Sequence, residues 1–487
     1  MNFRSTLKVG FAACLVAGLC ACATSPDDRS HRLELDTPDA FGAAGHGDSL
    51  STAGWLADFS DPALARLVAE AQQNNPDLRA TAARMNAAMA SARSARSGLF
   101  PTASGRFGAT RNKRSTAAGF SLANPVSDDL GFNASAAWEL DLWGKIQNRS
   151  KAATADFEAA TADYQAARLS LAANTASAWF NAVEAELQVR LAEQTHRSFQ
   201  TNLTVIEKGF DRGVSNALDV RLTRANVATA RASLKQREQQ HDAAVRTLEA
   251  LLGRYPARLM GTTAALPRID RAVPAGLPSD LLKRRPDILA AERRLAAADE
   301  RFKAARKDLF PTISLSANGG TSTSELRDVL DPDSNVWGFA ANLTQPIFQG
   351  GRLRANLKAS EANTEVALAN YTQTALTAFN EVETALAAGG FLRDREAALR
   401  ESAAESAKAE ELAWSEYQRG LVDIITVLES QRRAFSARSL QIQISNQRLQ
   451  NRLTLYLSLG GDFDALELAT AGSAATTPDA SSPDPGN

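Results

Sequence analysis

The sequence has few of the residues that build metal centres or disulfide frameworks. Its 487 residues include three cysteines and four histidines, and all three cysteines lie within the first 22 residues. This distribution is not that of a zinc site or of a disulfide-stabilised fold. The sequence also has no phosphate-binding loop and no paired nucleophile and base. We therefore expect no enzyme activity, no cofactor and no metal.

The sequence also has no large excess of positive or of negative charge. Lys and Arg total 54, Asp and Glu total 55, and the formal net charge is −1. Nucleic-acid-binding proteins are usually basic, so we expect no nucleic-acid partner. Hydrophobic residues make up 44% and charged residues 22%, which is ordinary for a folded protein.

Proline is absent from two stretches of about 130 residues, between Pro125 and Pro256 and between Pro346 and Pro478. Both stretches are rich in helix-forming residues, and each is divided by one glycine-centred turn, at Gly213 and at Gly420. The sequence predicts long coiled-coil helices over about 145–252 and about 352–459, with the first long helix ending near residue 209. The pair at residues 389–390, both glycine, predicts an interruption of the second long helix.

The single long apolar run stands at the N terminus and indicates a targeting segment. Arg4 and Lys8 precede an apolar stretch over residues 9–23, which is short for a membrane span. The stretch ends in Leu19-Cys20-Ala21-Cys22, which resembles a bacterial lipobox with Cys22 as the lipidated residue. We expect a lipoprotein signal peptide over 1–21 and a lipid anchor and tether over 22–50.

Turn residues recur at fixed offsets through the rest of the chain. Asn74-Asn75-Pro76-Asp77 recurs as Arg284-Arg285-Pro286-Asp287, an offset of 284 − 74 = 210. Further along, Gly213 and Gly420 are separated by 420 − 213 = 207. Such a register predicts two internal repeats, over 51–253 and 281–468. A Pro-rich crossover over 254–280 joins them, and the composition of 469–487 predicts a disordered tail.

Each repeat also contains segments in which apolar and polar residues alternate. They cover residues 103–109 and 130–140 in the first repeat and residues 313–317 and 337–343 in the second. A period of two predicts one hairpin per repeat, at about 101–144 and about 311–351, with polar loops near 111–129 and 319–336. The pattern suits a membrane barrel, although a sheet that covers an ordinary core would alternate in the same way. Four strands cannot close a barrel around a pore, so a barrel would require oligomerisation.

Together these motifs resemble those of TolC-like outer membrane efflux proteins, especially the lipidated NodT-type branch, also called RND efflux outer membrane lipoproteins. The resemblance rests on the lipobox, Arg285-Pro286-Asp287, the two Leu-Phe-Pro-Thr turns, and residues 138–144 and 345–353. It implies a mainly α fold with a membrane β part, in which a homotrimer forms a 12-stranded β-barrel continued by a periplasmic α-helical barrel. It also implies a passive exit duct for drugs or other small solutes, lipid-anchored in the outer membrane of a Gram-negative bacterium. A periplasmic adaptor (membrane fusion) protein would join this duct to an inner membrane transporter.

The resemblance places the functional residues at the tips of the helical hairpins, which are the turns at Gly213 and Gly420 between long helices. Residues similar to the adaptor-facing tip motifs of the family are Arg212, Gly213, Ser215, Arg419 and Gly420. A plain helix–helix turn with glycine in its left-handed position explains the same glycines.

Four residues near the tips are candidates for a gate: Asp219, Tyr417, Asp423 and Glu429. Family members often carry an acid in the second repeat that narrows the tunnel, and here Thr426 stands at the position matching Asp219. Asp423 or Glu429 would then replace that acid, and Tyr417 resembles a family tyrosine that bonds to the repeat-one acid. Solvated side chains at helix ends would give the same pattern. Two other functions also stay open: the exit duct of a type I protein secretion system, and a periplasmic coiled-coil spacer lipoprotein without a channel.

Overall fold

The computed structural model describes residues 41–42, 55–113, 126–261, 265–268 and 278–461. The expected signal peptide, Cys22, most of the tether and the C-terminal tail lie outside these residues. Among the helices that are described, none is long and apolar enough to cross a membrane.

The same elements follow one another in both halves of the chain. The first half contains α1 (Pro62–Asn74), α2 (Pro76–Ser97), β1 (Thr102–Lys113), β2 (Val126–Leu140), α3 (Lys145–Asp211) and α4 (Ala217–Leu251). The second half contains α5 (Pro278–Arg284), α6 (Pro286–Lys307), β3 (Thr312–Thr321), β4 (Asn335–Thr344), α7 (Arg352–Gln418) and α8 (Ile424–Ser458). The equivalent helices α3 and α7 both have 67 residues, and α4 and α8 both have 35. Two repeats, each with a hairpin and long helices, are therefore confirmed.

The long helices extend as the missing prolines predict, with one difference. The pair Gly389 and Gly390 does not interrupt α7, which is helical from Arg352 to Gln418. Glycine keeps both backbone hydrogen-bonding groups, and each glycine costs a helix interior only about 1 kcal/mol relative to alanine. A helix of this length tolerates that cost, so the predicted interruption is wrong.

Alanine forms much of the buried face of α3. Of the bulky residues spaced seven apart in α3, Leu171 is buried, whereas Phe157 and Tyr164 are half-buried. Alanines three and four residues apart are buried instead, for example at positions 155, 159 and 162. Small side chains let the helix approach its neighbours closely.

The strands form one antiparallel sheet in the order β1-β2-β3-β4. Both hairpins are present, and β2 pairs with β3 across the two repeats. The strands reach further than predicted, because β1 and β2 pair as far as Lys113 and Val126, inside the expected polar loop. Backbone pairing continues there although the side-chain alternation has faded. In the second repeat, two 3-10 turns, at Leu326–Asp328 and Pro332–Ser334, occupy part of the expected loop.

The chain divides into two compact units, and neither coincides with a repeat. One unit contains Ala90–Asp156 and Arg293–Thr372, and therefore the whole sheet. The other contains the described residues of 37–89, 157–292 and 373–487, and therefore most of the length of the long helices. A large buried cluster in it is built around aromatic side chains from two parts of the sequence, Trp55 and Phe59 with Trp179 and Phe180.

In the sheet-containing unit, the segment that follows β2 explains one of the sequence motifs. Trp143 stacks on Phe310 with ring centroids 5.4 Å apart, and its indole N–H donates to the carbonyl of Pro311 at 2.7 Å. Asp141 accepts hydrogen bonds from two backbone N–H groups in the first turn of α3, at 2.9 and 2.7 Å. The motif therefore starts the long helix and holds it against the Phe-Pro turn of the other repeat.

In the second unit, called the helical unit below, the motif that begins α2 and α6 supports the end of a shorter helix. These shorter helices, α4 and α8, each follow one of the long helices α3 and α7 and are called the return helices. The amide of Asn75 donates to the carbonyl of Leu251 at 3.0 Å. At the equivalent place in the second repeat, the guanidinium of Arg285 donates to the carbonyl of Ser458, also at 3.0 Å. Both side chains are buried. Residues that recur in the sequence therefore make the same contact twice.

Candidate functional site

The sheet places its apolar residues on one face. The register pairs Phe107 with Phe132, Trp138 with Leu315, and Leu315 with Ala341, so that the four alternating segments share that face. Among the described residues, its aromatic side chains are partly to largely exposed, and Trp337 is 84% exposed. Large exposed apolar surfaces usually mark a contact with another protein or with lipid. This face is therefore the first candidate site.

The second candidate site is at the turns between the long helices and the return helices. Gly213 and Gly420 have φ angles of +73° and +75°, in the left-handed region that favours glycine. After α3, the N–H of Val214 donates to the carbonyl of Gly209 at 2.9 Å, and after α7 the N–H of Leu421 donates to Glu416 at 3.0 Å. These bonds satisfy carbonyls that a helix end would otherwise leave free. Both glycines are thus required by the turn itself.

The two return helices begin with equivalent capping hydrogen bonds that are made by different residue types. At the start of α4, Asn216 accepts from the N–H of Asp219 at 2.9 Å, and the Asp219 carboxylate accepts from the Asn216 N–H at 3.2 Å. At the start of α8, Asp423 takes the place of Asn216 and accepts from the N–H and the hydroxyl of Thr426, both at 2.9 Å. The hydrogen bonds at each helix start therefore include one carboxylate, which stands three residues earlier in the second repeat.

Hydrogen bonds within the chain stabilise the charged form of the acids in the second repeat. The backbone N–H of Thr426, followed by its hydroxyl, lowers the pKa of Asp423 below its ordinary value. Hydrogen bonds from Arg433 and then Arg432 lower the pKa of Glu429. Both groups are consequently anionic at neutral pH. Glu429 carries two arginine partners on its own helix, whereas Asp423 is exposed and paired only with neutral donors.

Tyr417 stacks on Trp414, with ring centroids 5.9 Å apart. Both rings pack against an apolar cluster to which α3, α4, α7 and α8 contribute, with Ile206, Val220 and Val427 among its buried members. Within the described part of this chain, no hydrogen bond joins the Tyr417 hydroxyl to Asp219. A bond between neighbouring hairpins of different chains stays a prediction.

Sequence reasoning missed a repeated apolar pair on the tips. Val214 and Leu218 are mostly exposed, and so are Leu421 and Ile425, their equivalents at an offset of 421 − 214 = 207. Exposed Arg212 and Arg419 lie beside them. The same offset that aligns the tip glycines could have identified these residues, since it aligns apolar residues at positions where solvent-exposed turns are usually polar.

Comparison with known proteins identifies the family. Residues 67–254 and 277–461 match the family described as outer membrane efflux protein. The chain belongs to the outer membrane efflux protein family. The cation efflux system protein CusC of Escherichia coli O6:H1 is 31% identical over 456 residues, which cover 92% of this chain and 98% of CusC. The outer membrane protein OprJ of Pseudomonas aeruginosa is 34% identical over 462 residues, covering 93% of this chain and 96% of OprJ.

The fold is also that of the solved channels of this family. The outer-membrane channel OprN superposes with a TM-score of 0.83 at 30% identity, covering 90% of this chain and 99% of OprN. The protein is thus an outer membrane efflux channel, and its long helices correspond to the periplasmic part of the family fold.

Proposed function

We propose that three copies of this chain join their sheets edge to edge into a twelve-stranded barrel and conduct drugs or other small solutes passively out of the periplasm. The observation that carries this proposal is the exposed apolar face of the four-stranded sheet. Strands β1 and β4 are its edges, and each is paired on one side only within the described chain. Edges that meet between copies would satisfy the backbone groups, which lipid cannot do.

Lipid is the occupant that this face fits best. Its exposed rings include Phe107, Phe132, Trp337 and Phe339, and the opposite face carries hydroxyl and amide side chains such as the hydrogen-bonded Ser104 and Ser135. An apolar outside and a polar inside are typical of a membrane barrel that encloses water. A coiled-coil spacer would have no use for such a face, so the channel is the better-supported function.

The tips are suited to dock a periplasmic adaptor protein, which would connect the duct to an inner membrane transporter. Each offers two exposed apolar side chains and one exposed arginine, in the same arrangement. Aliphatic contacts surrounded by arginine are common in protein interfaces. Because the arrangement occurs in both repeats, a trimer would present six similar docking positions.

A ring of carboxylates at the tips would favour cations in the closed or narrowed duct. Asp219 and Asp423 contribute one carboxylate from each hairpin, which gives six in a trimer. In this arrangement Asp423, and not Thr426, supplies the acid of the second repeat. Glu429 is neutralised by its own arginines and contributes less.

The cargo is not set by the duct alone. Relatives of similar identity carry the names cation efflux system protein, at 31%, and toluene efflux pump outer membrane protein, at 33%. Because similar chains belong to pumps named for such different solutes, we infer that another component of the pump selects the cargo. We further propose that Cys22 carries the lipid anchor that holds the mature chain at the outer membrane.

The mass of the detergent-extracted mature protein tests this proposal. Multi-angle light scattering with the detergent contribution subtracted should give the mass of three chains. A folded, monodisperse monomer would contradict it, because four strands cannot close a barrel. Compared with the parent protein, the variant Trp337→Lys should insert poorly into lipid yet keep its helical circular dichroism signal.

A further inference from the structure

A cavity of about 620 Å³ in the helical unit is lined by an unusual number of arginines. Its walls come from α3, α7, α8 and the described crossover residues 265–268. Five of its lining side chains are guanidinium groups, contributed by all four segments: Arg190, Arg268, Arg400, Arg438 and Arg448. The cavity shares no lining residue with the tips or with the sheet.

The carboxylates that the structure describes around the cavity do not balance these charges. Glu396 is the one acidic residue in the lining, and its side chain is 10% exposed. It pairs with Arg448 and, at 3.6 Å, with Arg400, and it accepts a hydrogen bond from Ser445 at 2.9 Å. Its negative charge is therefore already compensated and does not repel an incoming anion strongly.

Two further carboxylates reach the arginines from outside the lining. Glu186 pairs with Arg190, and Glu410 lies 3.3 Å from Arg438. Among the described residues, the five arginines and these three acids carry a surplus of 5 − 3 = 2 positive charges. Charges that converge on a recess with low-dielectric walls raise the local concentration of counter-ions.

The remaining lining indicates the size and chemistry of a ligand. Leu187, Leu191 and Leu266 supply apolar surface, and the amides of Gln194 and Gln441 supply neutral donors. The volume lies within the usual range of small-molecule sites, about 300–1,000 Å³, and exceeds that of a single inorganic anion. Planar guanidinium groups match phosphate and carboxylate oxygens through paired hydrogen bonds.

We propose that this cavity binds a small polyanion that carries at least two phosphate or carboxylate groups. The ligand would connect the crossover at Leu266 and Arg268 to the three helices. The lining residues all belong to one chain, so one ligand is expected per copy.

Calorimetric titration of the full-length protein in detergent with inorganic pyrophosphate, and separately with citrate, tests the proposal. Saturable binding of either probe at about one per chain is expected. Each of Arg268→Gln and Arg190→Gln should weaken it by about tenfold or more, since each removes charge-assisted hydrogen bonds. The matched control is Arg224→Gln, which removes an exposed arginine that pairs with Glu207 as Arg190 pairs with Glu186. The control should bind as the parent does.

Several results would overturn the proposal. One is the absence of saturable binding by both probes in low salt, which would also result if a neighbouring copy filled the cavity. Another is an equal loss of affinity in the Arg224→Gln control, which would show that general surface charge is responsible. Each variant is first shown to keep the parent's circular dichroism spectrum and assembled mass, so a folding defect is not mistaken for lost binding. The failure of this test leaves the barrel proposal unaffected, because mass and conductance do not depend on the cavity.

Discussion

Replacement of Arg285 tests how the recurring motif supports the end of a return helix. Its buried guanidinium donates two hydrogen bonds to Asp287, one to Glu381 at 2.6 Å and one to the carbonyl of Ser458 at 3.0 Å. The Asp287 and Glu381 side chains are 41% and 43% exposed, so water can solvate them once the arginine is lost. These ion pairs together contribute about 1 kcal/mol.

The contact with the Ser458 carbonyl contributes more, because that residue is buried. A buried carbonyl without its partner costs about 1–3 kcal/mol. Arg285→Ala should therefore lower the free energy of unfolding by about 2–4 kcal/mol. Arg285→Asn should cost only about 1 kcal/mol, because in the first repeat Asn75 makes the equivalent contact with a carbonyl.

Thermal melting of the full-length protein in detergent, followed by far-ultraviolet circular dichroism at one scan rate, measures the difference. We expect the midpoint to fall by roughly 5 °C for the alanine variant and roughly 2 °C for the asparagine variant. Arg284→Ala, which removes the exposed neighbouring arginine, is the matched control and should leave the midpoint nearly unchanged. If asparagine and alanine lower the midpoint equally, the carbonyl contact is not what stabilises the junction.

Three further predictions concern backbone conformation, capping and pH. Gly420→Ala should lower the free energy of unfolding by about 1–2 kcal/mol, because the φ of Gly420 is +75°. Gly390→Ala, in open space within α7, should leave the free energy of unfolding unchanged or raise it. Equal hydrogen exchange at the tip in the two variants would contradict this. Asn216→Ala should cost about 1 kcal/mol and speed exchange in the first turn of α4, while exchange at the start of α8, which Asp423 caps, stays unchanged. Burial lowers the pKa of His241 below its ordinary value of 6.5, so the unfolded chain binds a proton at a higher pH than the folded chain does, and the folded state loses stability as pH falls below 6.5. His241→Gln removes this group and should lose less stability over that range. An equal loss in the parent and the variant would refute the assignment.

The sequence predicted the helices well because their determinants are local. Missing prolines fix where a helix is allowed, and a glycine in the left-handed region ends it, which is why the tips at Gly213 and Gly420 were found. The glycine pair at residues 389–390 misled the prediction, since a weak local preference does not interrupt a long helix that tertiary packing stabilises.

The contacts between distant segments could not be predicted in the same way. Alternation identified four apolar segments, but only the pairing of β2 with β3, nearly 180 residues apart, shows that they share one face. The exchange of Asn216 and Asp219 for Asp423 and Thr426 was visible as residue types, and the helix starts show what it does. The arginines of the cavity come from residues 190 to 448, and no local pattern groups them.

Single-channel current through a planar lipid bilayer tests the central claim most directly. The purified assembly should insert and give uniform current steps that prefer cations, and Asp219→Asn combined with Asp423→Asn should weaken that preference. A folded assembly of three chains that inserts into the bilayer and leaves it insulating under all applied voltages, even when its tip carboxylates are neutralised, would contradict the account.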